Sequence, residues 1–198
     1  AGYKVVAVSD SQGGIYAKQG LDIPSIRRFK EANKGIKAIY CEGSVCNIVE
    51  HEILTNEQLL ALDVDVLVPA ALENQITEAN VNDVKAKLIF EVANGPISSA
   101  ADLILEAKGI QVIPDILVNA GGVTVSYFEW VQNRSGLYWS LGEVNQRLKH
   151  KMVEETEAIW KIAEELSVCM RTAAYVYGLN RLGEAMNAKG TRDYYING

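Results

Sequence analysis

Residues 64–122 read VDVLVPAALENQITEANVNDVKAKLIFEVANGPISSAADLILEAKGIQVIPDILVNAGG. Three runs rich in branched residues stand out in it: Val64–Val68, Lys87–Val92 and Gln111–Val118. They are apolar at consecutive positions rather than alternate ones, the pattern of strands covered by helices on both faces. They predict a parallel sheet. Ser98 or Ser99 caps an intervening helix that runs to Lys108 and stops at Gly109. Outward toward the amino end, Val5–Val8 and Ile36–Tyr40 repeat the apolar character. There Pro24 opens a helix over Ser25–Asn33 that Gly35 closes, and Asn56 caps Glu57–Leu62.

Toward the carboxyl end the pattern changes. Leu141, Val144, Leu148, Met152, Ile159, Ala163 and Leu166 recur at three- and four-residue spacing with charges between them, which predicts one long amphipathic helix. After a break near Ser167, Arg171–Ala188 forms a second helix with Ala173, Val176, Tyr177 and Leu182 as its buried stripe. The chain therefore reads as an α/β segment over 1–140 and an all-helical segment over 141–198 packing on the same domain.

With 198 residues, 48% of them hydrophobic, there is material for one substantial core. A net charge of -6 offers no basic excess for a polyphosphate backbone, so nucleic acid is not an expected partner. No apolar run reaches the ~18 to 20 residues of a membrane-spanning helix, and AGYKVVAVSD lacks signal-peptide features. Cys41, Cys46 and Cys169 have no disulfide-framework spacing and suit a reducing compartment, so the expected location is cytoplasmic. The pair Cys41 and Cys46 lacks zinc-type spacing, and with only His51 and His150 in the chain no metal site is expected. No GxSxG elbow is present. Trp130, Trp139, Trp160 and Tyr127 fall in helical stretches, as core or interface residues.

Candidate chemistry lies where the predicted strands end. Val5–Val8 runs into Ser9 and Asp10; such an acid can accept hydrogen bonds from ribose hydroxyls or simply hold a turn. The next strand ends run into Pro69-Ala70-Ala71 and into Ala93-Asn94-Gly95-Pro96, small residues and an amide that suit a crevice for a flat ligand. The last strand runs into Asn119-Ala120-Gly121-Gly122. Asn119 is placed to cap a helix whose open first turn could take an anion or a carboxamide. Val123 and Ser126, three apart, share one helix face and could line a pocket; alternatively Ser126 bonds its own helix backbone.

These residues carry a resemblance. VVAVSDSQGGIY at 5–16, GLD at 20–22, VLVPAALENQIT at 66–77, EVANGP at 91–96, PDILVNAGGVTVSYFEWVQN at 114–133 and MRTAAYVYGLNRL at 170–182 together resemble the nucleotide-binding domain of glutamate dehydrogenases. The resemblance implies a Rossmann-like, mostly parallel sheet, entered after the GxGxxG phosphate loop and so lacking its first strand. Ala1 then reads as a point inside a longer protein. The strands at Val5–Val8 and Val64–Val68 would either close up and pair directly or have the gap between them filled by another segment or chain.

The resemblance also implies oxidation of L-glutamate to 2-oxoglutarate and ammonia with NAD or NADP as hydride acceptor, in a homo-oligomer that is a hexamer in the full-length family. Ser9 and Asp10 would lie near the adenosine ribose, Ala70 and Ala71 along the dinucleotide, Asn94 on the nicotinamide side, and Asn119 where nicotinamide and substrate meet. Val123 and Ser126 would contact glutamate, Ser126 through its γ-carboxylate. The catalytic lysine and aspartate belong to the family's other domain, so no catalytic residue is assigned in this chain. Asp10 disfavours a 2′-phosphate, whereas Ser9, Ser11 and Gln12 could accept one. Two other readings stay open: a branched-chain or aromatic amino-acid dehydrogenase, against which the Ser126 hydroxyl argues, and a non-catalytic oligomerisation or regulatory module.

Overall fold

A computed structural model describes residues 2–33, 39–42, 45–48 and 51–188, with the backbone alone for residues 33, 39–42 and 45–48. The chain divides into two compact units, Ala1–Val64 with Ala79–Ala86, and Asp65–Glu78 with Lys87–Gly198.

The second unit contains the expected parallel sheet. Its strands β6 (Val66–Leu67), β7 (Leu88–Phe90) and β8 (Gln111–Ile113) lie in that order, with Val66 opposite Leu88 and Ile89 opposite Val112. The strands are shorter than their apolar runs because proline punctuates them. Pro69 ends the first. Pro114 ends the last and stands at the N-cap of α4 (Asp115–Val118), so the run read as a strand to Val118 is half helix.

Helix α3 (Ser99–Ala107) resolves the choice of cap: Ser98 Oγ accepts the Ala101 N–H at 3.2 Å. Gly109 stops it at φ +72°, in the left-handed region where a side chain would be strained. Ile89 is fully buried on one face of the sheet. On the other, Leu88 and Phe90 pack against a core of Ile113, Leu117, Ile159, Met170, Ala173 and Ala174. That core draws on α4, α6 (Leu141–Leu166) and α7 (Met170–Ala188), each large apolar side chain contributing roughly 1.5 to 3 kcal/mol.

The long helix begins at a capping box between Ser140 and Glu143 and ends at Ser167 in the left-handed region, as its periodicity predicts. Its apolar stripe is only partly buried: Leu141 and Leu166 are exposed, as is Leu182 of α7. Between α4 and α6 runs α5 (Ala120–Ser135).

The first unit departs from the reading of its strands. The run at Val5–Val8 becomes β1 (Ala7–Asp10), which pairs antiparallel with β2 (Gly13–Tyr16), itself antiparallel to β5 (Glu52–Leu54). A two-residue loop, Ser11-Gln12, reverses the chain there, with Asp10 opposite Gly13. Of the two outcomes open for the strands at Val5–Val8 and Val64–Val68, direct pairing is not formed: β1 and β6 belong to separate sheets.

Helix α1 (Ile23–Asn33) starts earlier than predicted, because Asp22 accepts the Ser25 hydroxyl at 2.6 Å and the Ile26 N–H; Gly35 lies outside the described residues. The run at Ile36–Tyr40 is described only from Ile39, where β3 (Ile39–Glu42) pairs antiparallel with β4 (Val45–Ile48). The side chains of Cys41 and Cys46 lie outside the described residues. Helix α2 (Asn56–Leu60) is capped by Thr55, not by Asn56, through a Thr55–Gln58 capping box. Asn56 instead donates to the Asp10 carbonyl at 3.1 Å.

Candidate functional site

In the second unit, the loops leaving the carboxyl ends of β6 and β7 are laced together. The Pro69 carbonyl accepts the Val92 and Ala93 N–H groups. The Asn74 N–H donates to the Gly95 carbonyl at 2.8 Å, and the Ser98 N–H to the Ile76 carbonyl at 2.9 Å. Gly95 sits at φ +53°, where a β-carbon would strain the backbone, and Asn74 at φ +52°, which asparagine tolerates.

This lacing presents Asn94 to Asn119. The Asn119 Nδ2 donates to Asn94 Oδ1 at 2.6 Å, joining two amides singled out from separate strand ends. Among the described residues, Asn94 Nδ2 and Asn119 Oδ1 are left without a protein partner. One donor and one acceptor side by side complement a carboxamide, which carries one of each. Ala70 and Ala71, at the end of β6, are exposed and short.

Asn119 is not the side-chain helix cap that was expected. Its backbone is helical (φ -92°, ψ -2°), and its side chain makes no cap bond. Its N–H donates to the Asp115 carbonyl at 3.0 Å, while its own carbonyl accepts the Gly122 N–H. Helices α4 and α5 thus run on through Asn119, and the free N–H end lies one turn earlier, at Asp115. Those donors are already engaged: the Asp115 N–H by Glu91 Oε2 and the Ile116 N–H by Asp115 Oδ1, each at 2.8 Å.

Val123 and Ser126 are both exposed on α5. The Ser126 hydroxyl donates to the Gly122 carbonyl at 3.2 Å, so it bonds its own helix backbone. An exposed bond of that length is readily exchanged for a ligand acceptor.

Beneath the amide pair lies a cluster that sequence reasoning missed. Arg171, at the start of α7, reaches Asp102 Oδ2 at 2.7 Å, Glu91 Oε2 at 2.9 Å and Asp115 Oδ1 at 3.4 Å. Glu91 is fully buried, and its Oε1 has no hydrogen-bond partner among the described residues. Burial pushes its carboxyl above the ordinary range, outweighing the downward pull of Arg171 and the Asp115 N–H. The Asp102 and Glu91 carboxylates raise the Arg171 guanidinium further, against its own desolvation. The only signal in the sequence was a lone acid closing an apolar strand and a lone base opening an apolar helix. An open cleft of about 460 Å³ shares Asp102 and Arg171 with this cluster and includes none of the predicted site residues.

In the first unit, Ser9 is exposed opposite Gly14. Asp10 holds the hairpin turn: Oδ1 accepts the Gln12 N–H at 2.9 Å, and Oδ2 pairs with Lys30 at 2.7 Å. The Lys30 bond keeps its carboxyl below the usual range.

A family model for glutamate/leucine/phenylalanine/valine dehydrogenase matches residues 1–190. The NADP-specific glutamate dehydrogenase of Synechocystis sp. is 66% identical over 98% of this chain and 45% of its own length. The NAD-specific glutamate dehydrogenase of Staphylococcus aureus is 43% identical over 96% of this chain and 43% of its own. The chain therefore spans less than half the length of these curated relatives. A crystal structure of hetero-hexameric glutamate dehydrogenase from Thermus thermophilus, in a Leu-bound form, superposes with a TM-score of 0.81 at 32% identity, over 94% of this chain and 42% of that one. No described helix is long and apolar enough to cross a membrane.

Proposed function

This chain belongs to the glutamate/leucine/phenylalanine/valine dehydrogenase family, and from that premise we propose that it is the nucleotide-binding part of an NAD(P)-dependent glutamate dehydrogenase. The observation that carries this reading is the joined Asn94–Asn119 pair, one donor and one acceptor at the carboxyl ends of a parallel sheet. These residues fit a nicotinamide carboxamide. Bound NAD or NADP would supply the hydride acceptor for oxidation of L-glutamate to 2-oxoglutarate and ammonia.

On this reading Asn94 and Asn119 hold the carboxamide, and Ala70 and Ala71 leave room for the dinucleotide. Ser9 and Asp10 meet the adenosine ribose. Val123 packs on the aliphatic part of glutamate, while Ser126 turns its hydroxyl from the Gly122 carbonyl to the γ-carboxylate. Because Lys30 compensates the Asp10 charge at 2.7 Å, the acid by itself does not exclude a 2′-phosphate, and either dinucleotide is accommodated. No residue of this chain is assigned the proton transfers. The exposed apolar side chains of α5 and α7, among them Trp130, Tyr175 and Leu179, suit burial in a homo-oligomer, a hexamer by analogy with the family. The cysteine pattern supports a cytoplasmic location.

The test is a dehydrogenase assay on the full-length protein that carries this chain, with glutamate, leucine and phenylalanine offered in parallel. Preference for glutamate is expected. Preference for an apolar amino acid would refute the assignment. The 198-residue chain alone is expected to show no turnover and, in calorimetry, dinucleotide binding weaker than micromolar.

A further inference from the structure

The Asn94–Asn119 pair closes a ring of hydrogen bonds, and one residue anchors both halves. Asp115 Oδ2 accepts the N–H of Gly95, the peptide that follows Asn94, at 2.8 Å. The Asp115 carbonyl accepts the Asn119 N–H at 3.0 Å. The circuit is then completed between the two side-chain amides at 2.6 Å. Asp115 is itself held from behind, its N–H by Glu91 Oε2 and its Oδ1 by Arg171, which also grips Asp102.

A charged cluster of this kind is poorly explained by stability. Buried ion pairs are often matched or bettered by apolar packing of the same volume, and here one Glu91 oxygen is buried without a hydrogen-bond partner, an arrangement that calls for a reason beyond packing. The cluster draws on Glu91, which follows β7, and on α3, α4 and α7; Arg171 bonds all three of its acids, and Arg171 and Glu91 both also hold Asp115.

We infer that Asp115 is the positioning residue for the Asn94–Asn119 pair, and that Arg171 transmits the placement of helix α7 to it. The inference rests on the reading that the pair receives the nicotinamide carboxamide. Asp115 touches neither cofactor nor substrate on this account; it sets the angle and spacing of two groups that do.

Asp115→Asn is the incisive variant. An amide has one acceptor oxygen where the carboxylate has two, so either the Gly95 N–H or the Ile116 N–H must face an NH2 group. In the full-length protein, the Kd for NADPH or NADH, read by fluorescence titration, is expected to rise about tenfold, the scale of one lost hydrogen bond to a charged acceptor. The KM for glutamate should stay within about twofold. Hydrogen exchange read by mass spectrometry should accelerate in peptides covering 92–98 and 116–121 and stay unchanged across 154–166 of α6. Arg171→Lys keeps a cation among the carboxylates but loses the fork, and should shift the same peptides by less; it carries the test if Asp115→Asn fails to fold. Unchanged exchange at 92–98, or acceleration spread evenly over the unit, overturns the inference while leaving dinucleotide binding by the wild type intact. A wild type that binds no dinucleotide overturns the functional reading instead, and the exchange pattern then still reports whether Asp115 places the pair.

Discussion

Two acids follow apolar runs in this chain, and their surroundings drive them in opposite directions. Asp10 ends β1 at a hairpin turn, partly exposed, and Lys30 holds its carboxyl below the ordinary range. Glu91 follows β7 at the centre of a parallel sheet, fully buried, and desolvation holds its carboxyl above that range although Arg171 lies 2.9 Å away. The difference comes from what covers each strand end. At Asp10 water shares the charge, so the pair with Lys30 adds little. At Glu91 the charge is buried, and the one cation that reaches it, Arg171, is shared with Asp102 and Asp115.

Substitutions should separate the two regions sharply. Arg171→Ala strands the fully buried Glu91 carboxylate together with Asp102 and Asp115. It is expected to lower unfolding free energy by about 3 to 5 kcal/mol in urea titrations, whereas Lys30→Ala should cost less than about 1 kcal/mol. Comparable losses would mean that the two acids are not in different environments.

Next in size is a group outside both clusters. Ser126, exposed and bonded only to its own helix, should be dispensable for stability. In the full-length protein, Ser126→Ala is expected to reduce kcat/KM for glutamate by roughly 1 to 3 kcal/mol and that for norvaline much less. Equal losses on both substrates would make the serine structural.

The pH dependence of stability supplies a contrast of sign. Because Glu91 titrates above its ordinary value of 4.5, its contribution is fully present below that value and is lost as pH rises through the raised pKa. Asp10, held below 3.8, contributes above 3.8 and loses its contribution as pH falls through the lowered pKa. Glu91→Gln should therefore remove a fall in stability that sets in as pH rises above 4.5, and Asp10→Asn a fall that sets in as pH drops below 3.8. Removal of a fall in the same direction of pH in both variants would contradict the opposite shifts. The smallest expected effect is on cofactor choice: Lys30→Gln should raise the KM for NADP more than that for NAD, by a few-fold, as the uncompensated Asp10 charge comes to oppose the 2′-phosphate.

The parts of the molecule legible in the sequence are those in which neighbours along the chain decide the outcome. Consecutive apolar residues announce β6, β7 and β8, and Ser98 and Gly109 mark the ends of α3. The three- and four-residue repeat delimits α6 to the residue. The Asn94 and Asn119 amides stood out because each follows an apolar run.

Two other local signals sit in the sequence beside the elements assigned. The Asp10-Ser11-Gln12-Gly13 spacing is that of a two-residue hairpin, and Thr55 with Gln58 is a capping box one position before the cap assigned. The Arg171 cluster is of another kind. Its bonds join residues 80, 69 and 56 positions apart, so no periodicity or spacing rule reaches it; only the packing of α7 on the sheet brings the groups together.

The passage of α4 into α5 through Asn119 makes the backbone a ruler. Seven residues separate Asn119 from Ser126, which at 1.5 Å per residue is roughly 10 Å of axial length and within about 20° of the same side of the helix. A molecule that touched both residues would be measured against that interval. No side-chain rearrangement alters the graduation: lengthening it means adding residues, and each added residue also swings Ser126 by about 100° around the helix axis. Discrimination by ligand length on this face would accordingly be stepwise rather than continuously adjustable.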